Sequence, residues 1–176
     1  MNWMKKVAVA LVCLLPLGLQ AAKIDTLQVK SPSMNKSIEV VVVSPDVAAT
    51  KACPVIYLLH GYGGNACTWV GIKPDLPKIA DEKGIFFVCP DGKNTWYWDS
   101  PLNADVRYET FISNELVKYV DSHYKTVADR KGRAITGLSM GGHGALWLAI
   151  RHKEIFGAGG STSGGVDIRP FPKNWE

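Results

Sequence analysis

The 176-residue sequence lacks a strong excess of charge of either sign, since it has 20 basic and 16 acidic residues that are interspersed along the chain. A nucleic-acid-binding protein would show a basic stripe, so that class is not expected. The sequence also lacks the ligand spacings of metal sites, and no metal is expected. A dinucleotide site is not expected either, because the glycine-rich stretch 137–144 has a serine at its turn and no acidic residue about 20 residues later.

Charge is missing from residues 7–22, which follow a short start containing two lysines. A basic start, an apolar run and small residues are the pattern of a secretory signal peptide. The alternative is a membrane anchor, but the run is shorter than the ~20 residues that a span needs, and Pro16 and Gly18 interrupt it. We therefore predict a signal peptide over 1–22, a periplasmic or extracellular protein without a membrane anchor after cleavage, and a single domain over 23–176.

Cysteine is scarce. Of the four cysteines in the sequence, Cys53, Cys67 and Cys89 would remain after removal of the signal peptide. An odd number in an exported protein leaves at least one unpaired within the monomer. Cys53 should begin one strand and Cys89 should end another, so these two are expected at opposite edges of a parallel sheet. A disulfide between Cys67 and Cys89 stays open.

Strand patterns and helix patterns alternate from about residue 53 onward. Continuous apolar runs ending in glycine predict buried strands, and apolar residues on one face predict helices. The predicted strands lie in 23–31, 35–45, 53–64, 85–92, 133–137 and 156–164, and the predicted helices in 75–84, 105–124 and 140–154. This order predicts an α/β fold, with helices on both faces of a mostly parallel sheet.

The stretch 137–141, GLSMG, has the pattern G-x-S-x-G with Ser139 at its centre. A predicted strand precedes it and a predicted helix follows it, which is the arrangement of a nucleophile elbow. The alternative is an ordinary helix N-cap serine. We favour the nucleophile because of the glycines that follow. Gly141, Gly142 and Gly144 lie within one helical turn, and each destabilises a helix by about 1 kcal/mol relative to alanine. A helix rarely contains three such residues unless packing or function requires them.

The stretch 60–65, HGYGGN, follows an earlier predicted strand. A glycine-rich loop at this place can direct a backbone N–H at the oxyanion that develops on a substrate. The helix that follows Ser139, called the elbow helix, points its N-terminus at the same oxygen. We call residues 60–65 the oxyanion loop. The expected oxyanion-hole donors are the backbone amides of Tyr62 and Met140, the second of which lies at the positively polarised start of the helix. The loop by itself could be a plain turn. Its occurrence before the nucleophile elbow, in this order along the chain, makes it a more specific indication of an oxyanion hole.

Four segments carry a family resemblance: VIYLLHGYGGN, NTWYWDSP, YETFISNELVKYVDSHY and GLSMGGHGALWLA. Together they resemble the esterase D-like branch of the α/β-hydrolases, which includes S-formylglutathione hydrolases, tributyrin and feruloyl esterases, and the antigen 85 mycolyltransferases. The resemblance covers roughly residues 35–176. It implies the α/β-hydrolase fold and serine-dependent cleavage of carboxylic esters or thioesters through an acyl-enzyme, with no metal or cofactor.

The sequence departs from this family after the serine. The triad order in α/β-hydrolases is serine, then an acid, then histidine, each after a later strand. Asp167 follows the very next predicted strand, one unit too early for the acid. We therefore expect the triad aspartate and histidine to be absent, and interpret the chain as the N-terminal part of a longer hydrolase, incomplete after about the sixth strand.

None of the four histidines is expected to be the base. His60 belongs to the oxyanion loop, and His123 ends the long predicted helix. His143 lies one turn into the elbow helix, and His152 lies near its end, where it more plausibly caps the helix.

Two other groups of residues allow two interpretations each. Trp96, Tyr97 and Trp98 follow the carboxyl end of a predicted strand, where they could line an acyl pocket or be buried beneath the loop. Glu109 and Glu115 lie on the long predicted helix, where solvent exposure or a structural ion pair is expected.

The sequence thus predicts an exported serine carboxylesterase that acts on a small-molecule or polysaccharide-linked ester. Export favours an acyl group on an extracellular polymer over a cytoplasmic thioester. Two alternatives remain: an acyltransferase that uses the same site, and a non-catalytic binding module of the same fold. The sequence indicates no oligomeric state. We expect little turnover from residues 1–176 alone, because loss of triad members costs orders of magnitude.

Overall fold

The fold is built on one six-stranded sheet. The computed structural model describes residues 22–167 and Arg169, so the predicted signal segment, apart from Ala22, lies outside the described residues. The strands are β1 (Lys23–Ser31), β2 (Lys36–Ser44), β3 (Val55–Leu59), β4 (Phe86–Pro90), β5 (Arg133–Gly137) and β6 (Ala158–Gly159). Their order in the sheet is β1-β2-β4-β3-β5-β6.

The pairing confirms a mostly parallel sheet. β3 pairs in parallel with β4 and with β5, and β5 pairs in parallel with β6. β2 pairs antiparallel with both β1 and β4, so the hairpin at the start of the domain extends the parallel part at one edge.

The helices connect these strands. They are α1 (Thr68–Ile72), α2 (Leu76–Lys83), α3 (Tyr108–Thr110), α4 (Val117–His123) and α5 (Met140–Arg151). α2 ends at Gly84, whose φ of 63° is the left-handed conformation that glycine adopts without strain, as its place at the end of the predicted helix indicated. α1 is an addition to the predicted set, and α5 ends three residues before the predicted end at 154.

Helices cover both faces of the sheet, as predicted. Alternate residues of β2 point to opposite sides, so Val40 and Val42 belong to one apolar cluster and Val41 and Val43 to another. The first cluster includes residues of the α3–α4 region and of α5, and the second includes residues of α2. All five residues of β4 are buried, which fits a strand covered on both faces.

The long predicted helix over 105–124 begins and ends close to its predicted bounds but is not α-helical throughout. A π-helical stretch, Phe111–Leu116, joins α3 to α4. Within it the Ser113 hydroxyl donates a hydrogen bond of 2.7 Å to the Glu109 carbonyl oxygen. The spacing of apolar residues indicates which face of a helix is buried, but it does not indicate the pattern of backbone hydrogen bonds. The sequence therefore did not predict the change from an α-helix to a π-helix.

The three cysteines in the described region are free, so the open possibility of a disulfide between Cys67 and Cys89 is not realised. Cys53 and Cys89 are buried and Cys67 is exposed. Among residues 22–167 and Arg169, no helix has both the length and the apolar character to cross a membrane.

Candidate active site

The site lies where the carboxyl ends of three neighbouring parallel strands meet. β4, β3 and β5 are adjacent in the sheet, and each is followed by a loop at the same edge. Ligands of open α/β sheets bind at this edge. The three loops contain the predicted oxyanion residues, the aromatic stretch 96–98 and Ser139.

Ser139 occupies a strained turn between β5 and α5. Its φ of 55° and ψ of −116° are unusual for a residue with a side chain, and the residue is exposed. Two hydrogen bonds hold the turn: the Leu138 N–H donates to the Leu59 carbonyl oxygen at 3.1 Å, and the Ser139 N–H donates to the Thr162 carbonyl oxygen at 2.9 Å. The Ser139 side chain does not cap α5. Ser139 is therefore not an ordinary N-cap serine, because its side chain makes no capping hydrogen bond and its backbone is strained.

The glycines of the elbow helix have a packing reason. A Cβ on Gly141 would lie 2.2 Å from the Leu59 carbonyl oxygen, and a Cβ on Gly142 would lie 2.6 Å from the Ser161 hydroxyl oxygen. These distances leave no room for a side chain, so the first turn of α5 approaches the backbone of β3 and the loop after β6 directly. The cost of glycine in this helix is offset by that close approach.

The oxyanion loop lies beside Ser139. A Cβ on Gly61 would be 3.5 Å from the Ser139 Cβ. Within the described region, the backbone N–H groups of Tyr62 and Met140 have no hydrogen-bond acceptor. Two unpaired donors close to an exposed serine are the arrangement that an oxyanion needs.

The loop after β4 contributes a residue that the sequence analysis missed. The Gly63 N–H donates a hydrogen bond of 2.7 Å to the Asn94 side-chain oxygen. The only sequence signal is a polar residue after the carboxyl end of a buried strand, which is too common to single out Asn94.

His60 and His143 use both ring nitrogens for structural contacts. His60 Nδ1 lies 2.7 Å from the Gly61 carbonyl oxygen, and its Nε2 accepts a hydrogen bond of 2.8 Å from the Gly92 N–H. His143 Nδ1 lies 2.7 Å from the Gly165 carbonyl oxygen, and its Nε2 accepts a hydrogen bond of 2.9 Å from the Trp98 indole N–H. Burial lowers the pKa of His143, although the contact with the Gly165 carbonyl partly opposes this shift. Neither ring has a nitrogen left to serve Ser139.

The other two histidines have partners elsewhere. His123 Nδ1 contacts the Tyr119 carbonyl oxygen at 2.8 Å, within α4. His152 lies at the end of α5, and its Nε2 is 2.8 Å from a carboxylate oxygen of Glu109. None of the four histidines contacts the Ser139 hydroxyl among the described residues.

Glu109 ties α3 to α5. Its carboxylate accepts hydrogen bonds from the Trp147 indole N–H at 2.8 Å and from the Arg151 guanidinium at 2.7 Å, in addition to its contact with His152. Burial raises the pKa of Glu109, but these hydrogen bonds outweigh burial and hold the pKa below its ordinary value. Of the two interpretations of Glu109, the structural ion pair is thus the one observed.

The aromatic stretch 96–98 divides between burial and a pocket. Tyr97 has no exposed surface, and its hydroxyl donates a hydrogen bond of 2.9 Å to the His60 carbonyl oxygen, so it lies beneath the loop. Trp96 packs edge-on against His143, with ring centroids 5.3 Å apart. Trp98 lines a pocket of about 530 Å³ together with Trp147 and residues after β6.

Comparison with known proteins relates this chain to esterases. The Esterase family model matches residues 31–175. Esterase Rv1288 of Mycobacterium tuberculosis is 29% identical to the chain over 149 residues, which are 81% of this chain and 32% of that protein. The diacylglycerol acyltransferase/mycolyltransferase Ag85A of Mycobacterium leprae is 34% identical, over 82% of this chain and 44% of that protein. The chain thus spans less than half the length of these relatives.

A solved structure agrees with the same relationship. A ferulic acid esterase superposes with a TM-score of 0.67 and 30% sequence identity, over 78% of this chain and 58% of that one. The 30% sequence identity extends this likeness beyond fold.

Proposed function

The chain belongs to the Esterase family and has the α/β-hydrolase fold, and from these two facts we propose that Ser139 is the nucleophile of a serine carboxylesterase. One observation carries the proposal. Ser139 is an exposed serine held at a φ of 55°, beside two backbone N–H groups that have no acceptor within the described region. Strain of this kind persists only where the surrounding structure enforces it, and it concentrates at reactive sites.

In the proposed reaction the Ser139 Oγ attacks the carbonyl carbon of an ester. The carbonyl oxygen gains negative charge, and the N–H groups of Tyr62 and Met140 donate hydrogen bonds to it. The tetrahedral intermediate expels the alcohol and leaves the acyl group on Ser139. Water then attacks this acyl-enzyme, which releases the acid and restores the serine.

The general base and its acid partner are proposed to come from outside the described residues. All four histidines are engaged elsewhere, as described above, and the chain covers only 32% of esterase Rv1288 and 44% of Ag85A. Single glutamine substitutions of His123 and His152 should therefore leave most activity of the native protein, whereas loss of a true base costs several orders of magnitude.

Export and an ester on an extracellular polysaccharide are the finer part of the proposal. The signal-like pattern over 1–22 supports export, and export favours an acyl group on an extracellular polymer. The likeness to a ferulic acid esterase supports an aromatic acyl group. A second candidate is acyl transfer to an acceptor other than water, which the likeness to Ag85A favours. Both reactions pass through the same acyl-enzyme, so product analysis with water and with an alcohol acceptor separates them.

The decisive experiment traps the acyl-enzyme on the native protein. We expect a p-nitrophenyl ester to leave an acyl group on the peptide that contains Ser139, and Ser139→Ala to lower the rate by at least about a thousandfold. Ser163→Ala is the matched control, because Ser163 is also exposed and has a φ of 52° but lies in the loop after β6. Full activity of Ser139→Ala would overturn the proposal. Binding of an ester or sugar without turnover would support the non-catalytic module instead.

A further inference from the structure

The loop over 91–98, which follows β4, contacts both halves of the candidate site. We call it the bridging loop. The oxyanion loop after β3 lies on one side of it, and the elbow helix α5 lies on the other. From the sequence, residues 96–98 of this loop had two interpretations, lining of a pocket or burial beneath the loop.

Three hydrogen bonds join the bridging loop to the oxyanion loop. The Gly92 N–H donates to His60 Nε2 at 2.8 Å, and the Tyr97 hydroxyl donates to the His60 carbonyl oxygen at 2.9 Å. At the tip, the Asn94 side-chain oxygen accepts a hydrogen bond of 2.7 Å from the Gly63 N–H. The first two bonds are buried and fix the base of the oxyanion loop, and the third fixes its exposed turn.

Packing joins the same loop to α5. The ring of Tyr97 lies between two glycines, since a Cβ on Gly92 would be 2.1 Å from the ring and a Cβ on Gly144 would be 2.4 Å from it. Trp96 adds its edge-on contact with His143. The bridging loop therefore has a fixed position relative to the helix that begins at Met140.

Backbone strain is concentrated in this loop. Lys93, Trp96 and Tyr97 have φ values of 50°, 56° and 62°, which residues with side chains adopt at a cost. They are three of the six residues other than glycine with positive φ in the described part of the chain, and Ser139 is a fourth. Such strain is maintained by surrounding contacts, and here Trp96 and Tyr97 contact the oxyanion loop and α5, the helix that begins at Met140.

We propose that Asn94 is a positioning residue for the oxyanion hole, acting through the Gly63 N–H on the neighbouring amide of Tyr62. The inference rests on the proposed function. Gly63 has a φ of 77° and is followed by another glycine, so the turn has little conformational preference of its own. Asn94 holds the peptide unit between Tyr62 and Gly63. The preceding unit, which carries the Tyr62 N–H, is held through the Gly61 carbonyl oxygen, which accepts a hydrogen bond of 3.0 Å from the Gly64 N–H and lies 2.7 Å from His60 Nδ1. With Asn94 in place both units are fixed, and the Tyr62 N–H keeps its direction toward the space beside Ser139. Without Asn94, the unit after Tyr62 has no hydrogen bond within the described region, and the turn is held on one side of Tyr62 alone.

The expected effect lies in kcat. An oxyanion donor binds the transition state more strongly than the substrate, so a misdirected donor lowers kcat and leaves KM nearly unchanged. Removing one donor entirely costs about a hundredfold or more, and a donor that is present but less well held should cost less, about tenfold. Asn94 is exposed, so its replacement should leave the fold intact.

The test compares Asn94→Ala with Asn103→Ala in the native protein, with p-nitrophenyl acetate as substrate. Asn103 is a matched control, because its side-chain oxygen also accepts one backbone N–H in an exposed loop, that of Asp105 at 2.9 Å. In the described part of the chain, Asn103 has no hydrogen bond with the oxyanion loop or with Ser139. We expect Asn94→Ala to lower kcat about tenfold with KM within about twofold, and Asn103→Ala to change neither. Amide hydrogen exchange at Gly63 should accelerate in Asn94→Ala alone.

The outcomes separate this inference from the proposed function. Loss of activity in Ser139→Ala with unchanged kcat in Asn94→Ala would overturn the positioning role alone. A raised KM at unchanged kcat would also overturn it, because that result indicates a substrate contact. Activity that survives Ser139→Ala would overturn the proposed function, and the positioning role with it.

Discussion

The ring of Tyr97 fills the space that a side chain on Gly144 would need, with its Cδ2 atom 2.4 Å from the position of such a Cβ. Tyr97 has no exposed surface and its hydroxyl is bonded to the His60 carbonyl, so the ring cannot turn away into solvent. The elbow helix α5 and the bridging loop are therefore closely packed at this point. A glycine at position 144 is thus required for the close contact between α5 and the bridging loop.

Gly144→Ala should therefore destabilise the protein, although alanine is the better helix former. We expect the free energy of unfolding to fall by about 1–3 kcal/mol, because the ring must shift within a packed core. Gly71→Ala is the control: Gly71 lies in α1 with nothing within 4 Å of its missing Cβ. That variant should be neutral or more stable by up to about 1 kcal/mol. Urea denaturation of both variants checks this, and equal stability would contradict the packing argument.

Replacement of Ser139 by glycine should stabilise the protein relative to replacement by alanine. Both variants remove the hydroxyl, but only glycine adopts a φ of 55° without strain. We expect Ser139→Gly to be more stable than Ser139→Ala by about 1 kcal/mol, with neither variant active. Thermal unfolding of the two variants side by side measures the difference. If Ser139→Ala is the more stable, the turn is not strained.

Glu109 should make stability depend on pH in the acidic range. Its pKa lies below the ordinary value of 4.5, because hydrogen bonds from Arg151, Trp147 and His152 outweigh the effect of burial. A carboxyl group with a lowered pKa in the folded state stabilises the fold above its ordinary pKa, and this contribution is lost as pH falls through the lowered value. Wild type should therefore be more stable than Glu109→Gln near neutral pH, and the gap should narrow in acid.

Urea denaturation across a pH series measures this gap. Glu82→Gln serves as its control, since Glu82 forms an exposed ion pair with Lys78, and such pairs contribute about 0–1 kcal/mol. A gap for Glu109→Gln that stays constant from neutral to acidic pH would contradict the assignment.

Thiol labelling should distinguish the three cysteines of the described region. Cys67 is exposed, whereas Cys53 and Cys89 are buried, and burial raises the pKa of both buried thiols. Reactivity follows the thiolate and its accessibility. Iodoacetamide should therefore modify Cys67 in the native protein and the other two only after denaturation. Absence of labelling at Cys67 in the native state, with labelling after reduction, would indicate a disulfide.

The sequence was sufficient for the fold wherever local pattern and tertiary environment agree. The runs at 53–64, 85–92 and 133–137 contain β3, β4 and β5, because strands covered on both faces are mostly apolar. The short helix α1 escaped notice because its five residues are too few to show a period. The π-helical stretch Phe111–Leu116 was not predicted, because it is defined by its backbone hydrogen bonds, and these cannot be deduced from the residue types.

For the site, the sequence predicted the turn at Ser139 and the loop 60–65 that contains Tyr62, because both are rich in glycine. It was uninformative about contacts between distant segments. Asn94 is one polar residue among many in loops, and only the fold brings it to Gly63. The same holds for Tyr97, whose two interpretations in the sequence could be separated only by its burial.

The carbonyl of Thr162 accepts the hydrogen bond from the Ser139 N–H, and Leu138 forms a bridge with Thr162 as well. The turn at the serine is thus completed by a residue that is synthesised after the whole of α5. A nascent chain in which Ser139 has left the ribosome but Thr162 has not has no partner for this N–H, and only the bond from Leu138 to Leu59 holds the turn. The strained conformation of Ser139 should therefore become fully fixed only late in synthesis, after the loop that follows β6 has been made.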